Sequence, residues 1–434
     1  MTRFAVFCPP FPSHAAALEA LAAVLIDRGH EVFWIHRSDV RRHLSDPRIR
    51  FVAVGTARCP EGSLPAVLAR AAKPGGPLGL RRVIRDVADS TDMLCSEAPA
   101  VLREHGVQVV IADQMEAAGG LLARTLRLPF VSVACALPVN REPALPLPVM
   151  PWPYATNEAG LHRNAVSARI HDWMMQPLAK VMGAHGALLG VPTMRTLDDC
   201  VSPLLQLSQT TASFDFPREH APPAFHHVGP LRATSGRSEG LSLEPAPAPG
   251  KPFVFASLGT LQGGRLRLFI RIARACRAVG AQLLVAHCGG LGARAEKALL
   301  QAGADWVTDF VPQHAALARA DVLVTHAGLN TVMDALAAGV PMLALPIAFD
   351  QPGVAARVVH AGVGLRLTHA LASAKDIERA LRALLENNDF RQRAAVQGLA
   401  VKDAPGAQGA ADLIECALAP AHEEVEARDE PVAA

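Results

Sequence analysis

Short β-branched and apolar runs alternate with longer stretches whose apolar residues recur every three or four positions, and this rhythm fills most of the chain. Residues 4–8 read as a buried strand, 9–13 as a loop, and 15–28 as a helix with Leu18, Leu21, Ala22 and Leu25 on one face. Gly29 and His30 stop that helix, and 31–35 form the next strand. A βαβ opening of this kind predicts a parallel sheet. Residues 107–112, ending at Asp113, and 129–134 are further strands, with a helix over 119–126 between them. Between 137 and 153 the rhythm fails. Pro138, Pro143, Pro146, Pro148, Pro151 and Pro153 rule out regular structure and predict a long surface loop. One helix carrying Ile170, Trp173, Met174, Leu178 and Met182 follows, then a strand over 201–208.

Residues 233–251 are rich in Ser, Gly and Pro and read as a linker. Beyond them the strand–loop–helix rhythm restarts, with strands over 253–258, 283–287, 306–310, 322–325 and 342–345. The fold class predicted is α/β, two Rossmann-like domains whose parallel sheets face a central cleft. The first covers 1–232 and the second 252–404. A helical segment over 405–420 can pack back on the first domain, and the charged, then small residues 421–434 read as a disordered tail.

Composition narrows the partners. Half of the 434 residues are apolar, enough for two cores, and the net charge is only +2. No Lys/Arg block alternates with aromatics, so nucleic acid is excluded as an expected partner. The eight cysteines form no C-x-x-C pair, which argues for free thiols in a cytoplasmic protein rather than a zinc site. No run of 18 apolar residues lacks a charge or a proline, so no membrane span is expected. A peripheral membrane-surface contact through the 137–153 loop stays open.

The densest chemistry lies between Thr325 and Gln351. A strand ends at Thr325, Gly328 makes a turn, and a helix starts near Thr331 and stops at Gly339. The next strand leads to Asp350-Gln351. Polar groups therefore gather at two strand ends, where ligands bind in open α/β sheets. His326, Asn330 and Thr331 stand where a helix N-terminus welcomes phosphate. Asp334, eight residues after His326, is placed to accept from two ribose hydroxyls, and Asp350 and Gln351 from a sugar. Each piece alone also suits a capped helix or a polar strand end. His14, in C-P-P-F-P-S-H, opens the first helix, where the dipole favours its neutral, basic form. Ser257-Leu258-Gly259-Thr260 offers a close backbone approach at Gly259 and a hydroxyl at Thr260.

Together the strand–H-x-G-x-N-T–helix unit, the carboxylate at 334 and the D-Q after the second strand resemble the donor motif of the UDP-sugar glycosyltransferase family of GT-B fold. Ser257–Thr260 resembles that family's S-x-G-[ST] element. Phe310-Val311-Pro312-Gln313 resembles its aromatic-x-Pro-Gln element, with Phe where many relatives have Trp. The resemblance implies that Phe310 and Val311 meet the uracil, Gln313 and Asp334 the ribose, and Gly259, Thr260, His326, Gly328, Asn330 and Thr331 the diphosphate. Asp350 and Gln351 then hold the sugar. It also pairs His14, as general base, with Asp113. No D-x-D is present, so no metal and no cofactor is expected, only UDP-glucose as co-substrate. Stretches 112–116, 131–143, 255–263 and 348–355 resemble carotenoid-modifying members of the family, which implies a hydroxylated carotenoid acceptor. Met150, Trp152, Trp173, Met174, Met175 and Met182 are candidates to line its groove. A macrolide or polyphenol acceptor, a nucleotide-sugar epimerase and a non-catalytic sensor are the alternatives.

Overall fold

In the computed structural model, residues 1–74, 76–188, 190, 194–233 and 240–426 are described. Residues 234–239 of the expected linker and 427–434 of the expected tail lie outside them, and the last helix is described to Glu426.

Seven parallel strands form the first sheet: β1 (Arg3–Phe7), β2 (Glu31–His36), β3 (Arg50–Ala53), β4 (Val109–Asp113), β5 (Phe130–Ala134), β6 (Leu205–Ser208) and β7 (Phe225–His227). Their order is β3-β2-β1-β4-β5-β6-β7. Six more build a second sheet: β8 (Phe253–Ser257), β9 (Gln282–Ala286), β10 (Trp306–Thr308), β11 (Val322–Thr325), β12 (Met342–Ala344) and β13 (Gly364–Arg366). Their order is β10-β9-β8-β11-β12-β13. β1, β4, β5, β8 and β9 are buried along nearly their whole length, as strands covered on both faces by helices must be. Strand order reverses between β1 and β4 in one sheet and between β8 and β11 in the other. These two crevices are the natural ligand positions.

Several boundaries move. The first helix begins at Pro12 rather than residue 15, because proline suits the first helical position. The donor helix is Leu329–Ala337, two residues earlier than expected. Two helices, Glu158–Met174 and Gln176–Leu188, replace the single one expected, with Pro177 at the start of the second. Segment 137–153 is no surface loop throughout. Leu137 (1% exposed), Val139, Glu142 and Leu145 are buried. Leu137 sits in the core of the second unit, and Pro148 accepts the Gly353 N–H at 3.0 Å.

The halves are tied in several other places. Asp215 accepts from Arg357 at 2.6 Å and from Arg218 at 2.8 Å, all three nearly buried. The final helix, Gly406–Glu426, returns to the first half. Its Ala407, Ala410, Ala411, Ile414 and Leu418 complete the core over helix Pro12–Asp27. Outgoing and returning chain meet where the Gly406 N–H donates to the Val228 carbonyl at 2.7 Å.

Candidate active site

β1 and β4 are neighbours, with Phe7 paired to Ala112, so the residues just beyond their ends share the first crevice. His14, in the first turn after β1, places Nδ1 2.7 Å from Asp113 Oδ2 at the end of β4. Asp113 is fully buried, and its Oδ1 accepts the Met115 N–H at 2.8 Å. This fixes the carboxylate, and the carboxylate fixes the ring. With Nδ1 engaged, Nε2 is the nitrogen left for a substrate. Burial lowers the His14 pKa, but the charge and hydrogen bond of Asp113 and the charge of Asp350 outweigh it, so the net shift is upward. The expectation from the helix dipole alone, a bias to the neutral ring, is therefore corrected by two carboxylates. Behind the pair lies Cys135, its thiol pushed well above the usual range by burial and by Asp113.

The second crevice faces the first. Thr325 pairs with Ser257 across β11 and β8, which brings His326 beside the Ser257–Thr260 turn. The imidazole is clasped between two glycines: a Cβ on Gly259 would lie 2.7 Å, and one on Gly328 2.6 Å, from ring atoms of His326. Gly259 also has φ +72. Burial lowers the His326 pKa to about 4, against a hydrogen bond to the Ser257 backbone that raises it, so the ring is neutral rather than a cation. Asn330 Nδ2 reaches the Ser13 carbonyl at 3.2 Å, and Phe349, at a positive φ of 55, packs edge-on against Phe11 at 5.6 Å. Both contacts cross the cleft. Asp350 accepts the Leu137 N–H at 3.1 Å, and burial raises its pKa. The Gln351 side-chain oxygen is taken by the N–H groups of Ile347 (2.9 Å) and Ala348 (2.8 Å), leaving its amide nitrogen for a ligand.

One cavity of about 420 Å³ joins both crevices. It is lined by His14, Gly259, Thr260, Gln313, His326, Gly328, Asn330, Thr331, Asp350 and Gln351 of the expected site. Phe310, Val311 and Asp334 are not among its lining residues, and Phe310 is 67% exposed. Asp334 lines a second cavity, and its carboxylate is held by Gln313 at 2.6 Å and by Arg232 at 2.9 Å. From the first half come Leu137, Val139, Leu147, Leu178, Met175 and Met182, a largely apolar chamber beside His14 whose lining also includes Arg141, His171, Asp172 and Asp198. Met150, Trp152, Trp173 and Met174 do not line it: Arg163 stacks on Trp152, and Trp173 is 74% exposed. Sequence reasoning missed Arg232, Phe11, Phe349 and Cys135. No local pattern marks these four, since each acts on the site through a partner far away in sequence.

A fold of two facing parallel sheets, with donor-motif residues at one switch point and a His–Asp pair at the other, is the GT-B arrangement. The chain belongs to the family described as UDP-glucoronosyl and UDP-glucosyl transferase, which it matches over residues 6–406. It is an enzyme of the glycosyltransferase class. Among curated relatives, the zeaxanthin glucosyltransferase of Pantoea ananas is 46% identical over 96% of both chains. That of Pseudescherichia vulneris is 43% identical over 96% of this chain and 98% of its own. Among solved structures, the kitacinnamycin glycotransferase superposes with a TM-score of 0.72 at 20% identity, covering 96% of this chain and 98% of that one.

Proposed function

We propose that the enzyme transfers glucose from UDP-glucose to the ring hydroxyls of a carotenoid such as zeaxanthin, with inversion and without a metal. The observation that carries this reading is the His14–Asp113 pair at 2.7 Å, placed between an apolar chamber and the donor motif in one cavity. His14 Nε2 takes the proton of the acceptor hydroxyl as its oxygen bonds to the sugar C1. The C1–O bond to the diphosphate breaks, and UDP leaves with the electron pair. Asp113 keeps the ring oriented and stabilises the imidazolium. Thr260, neutral His326, Asn330 and Thr331 donate to the diphosphate at the N-terminus of helix Leu329–Ala337. Gln313 and Asp334 serve the ribose, Phe310 and Val311 the uracil, and Asp350 with the Gln351 amide the sugar. The carotenoid acceptor is supported by the two curated relatives and by the apolar chamber.

The test combines purified enzyme, UDP-glucose, detergent-dispersed zeaxanthin and chelator, beside His14→Ala. The acceptor should gain one or two hexose masses, with UDP released, and His14→Ala should lose roughly 100- to 10,000-fold in rate. UDP release without a mass gain on zeaxanthin would reject the acceptor. Loss of turnover in chelator would reject the metal-free diphosphate site.

The reading includes docking on a lipid surface. No described helix is long and apolar enough to cross a membrane. Ile170 (53% exposed) and Trp173 lie one turn apart on helix Glu158–Met174, with exposed Arg169 beside them, just ahead of Met175 and Ala179, which line the chamber. Apolar and aromatic side chains flanked by cations suit an anionic interface. In vesicle flotation, Trp173→Ala should release the enzyme from anionic liposomes; wild type that fails to float would sink this part.

A further inference from the structure

We infer that Arg232 sets how tightly the enzyme holds the nucleotide, by positioning Asp334 and Asn330 from the opposite half. The inference rests on the donor assignment above and goes beyond it, because Arg232 lies outside every motif.

Arg232 follows Leu231, whose side chain is anchored in the core of the first half. Its guanidinium crosses to the donor helix. Nε and Nη2 donate to Asp334 Oδ1 at 3.1 and 2.9 Å. Nη2 also meets the Asn330 carbonyl at 3.1 Å, and Nη1 meets Asn330 Oδ1 at 3.3 Å. Asp334 Oδ2 accepts from Gln313 at 2.6 Å. A carboxylate offers about four lone-pair positions, and the protein already fills three of these. Asp334 is therefore left to accept one ribose hydroxyl, not the two expected from its position in the motif, and the direction of that vacant lone pair is set by Arg232. Asn330 carries the array onward to Ser13, the neighbour of the base. The array is also a wall: Asn330 lines both the main cavity and a second one of about 540 Å³, which Arg232 and Asp334 share with helix Pro12–Asp27. A planar fork is what this geometry uses, and an ammonium cannot reproduce it.

The test measures UDP affinity by calorimetry, KM for UDP-glucose and for the carotenoid, and melting temperature, in Arg232→Ala, Arg232→Lys, Asp334→Ala and the Arg232→Ala/Asp334→Ala double variant. Replacing UDP-glucose with its 2′-deoxy and 3′-deoxy analogues reports the ribose contact directly. Arg232→Ala should weaken UDP and raise the donor KM by about tenfold or more, as expected for a lost charge-assisted bond. The carotenoid KM should stay within about twofold, a split that general loosening of the fold would not give. Arg232→Lys should restore only part. Because Arg232 acts chiefly through Asp334, with a smaller share through Asn330, the loss in the double variant should fall well short of the product of the two single losses. Wild type should be penalised by removal of one ribose hydroxyl, and Arg232→Ala should lose that discrimination. Unchanged or tighter UDP binding in Arg232→Ala, or multiplicative losses in the double variant, would overturn the inference. If Asp334→Ala itself binds UDP normally, the assignment of Asp334 to the donor falls first. Should Arg232→Ala fail to fold, Arg232→Lys and the analogue series decide alone.

Discussion

At the scale of the residue, the chemistry rests on one hydrogen bond between side chains 99 positions apart in sequence. Two acidic neighbours raise the His14 pKa, and a base works only when unprotonated. The acidic limb of kcat/KM should thus lie above about pH 6.5, the ordinary histidine value. Asp113→Asn removes the largest upward influence, so the limb should move to lower pH while the rate on the plateau falls. A limb that stays put in Asp113→Asn would show that the pair is not the titrating unit. The individual candidates His14, Asp113, His326 and Asp334 could be picked from their neighbours in sequence. The pairing of His14 with Asp113 came from the family resemblance and not from any local pattern; that His326 is neutral because it is buried, and that Asp334 is already engaged by Arg232, could not be read at all. Those depend on distances between segments far apart in the sequence, which no local pattern encodes.

Elements were legible where a single half determines them. Buried parallel strands are unbroken apolar runs, and β1, β4, β5, β8 and β11 fall close to where the pattern puts them. Segment 137–153 was not, because its exposed-looking backbone finds partners far away in sequence: Asp350 for Leu137 and Gln114 for Val139. The last helix illustrates how differently its two kinds of contact count. Ile414 is fully buried against helix Pro12–Asp27, whereas Arg28 meets Asp412 and Glu415 with side chains 67% and 38% exposed. Ile414→Ala should cost about 2–5 kcal/mol in denaturant unfolding, and Arg28→Ala less than about 1 kcal/mol. Equal losses would mean that the helix is held by its charges.

For the whole molecule, the question is what keeps two α/β halves in one register. Arg357, 2% exposed, is a buried tie, since it neutralises Asp215 from the second half. Arg357→Met should destabilise by about 3 kcal/mol, the low end for a broken buried pair, because Arg218 still holds Asp215 at 2.8 Å. The loss should appear in urea melts as a lower midpoint with an unchanged slope if both halves unfold together, and as two steps if this tie is what couples them.

The chain passes between the halves twice, and the two passages touch where the Gly406 N–H meets the Val228 carbonyl. A seam fastened at its hem lets neither edge slide alone: because outgoing and returning chain are pinned to each other there, a shift of the backbone at Val228 is carried to Gly406, and so to the helix that closes the core of the first half.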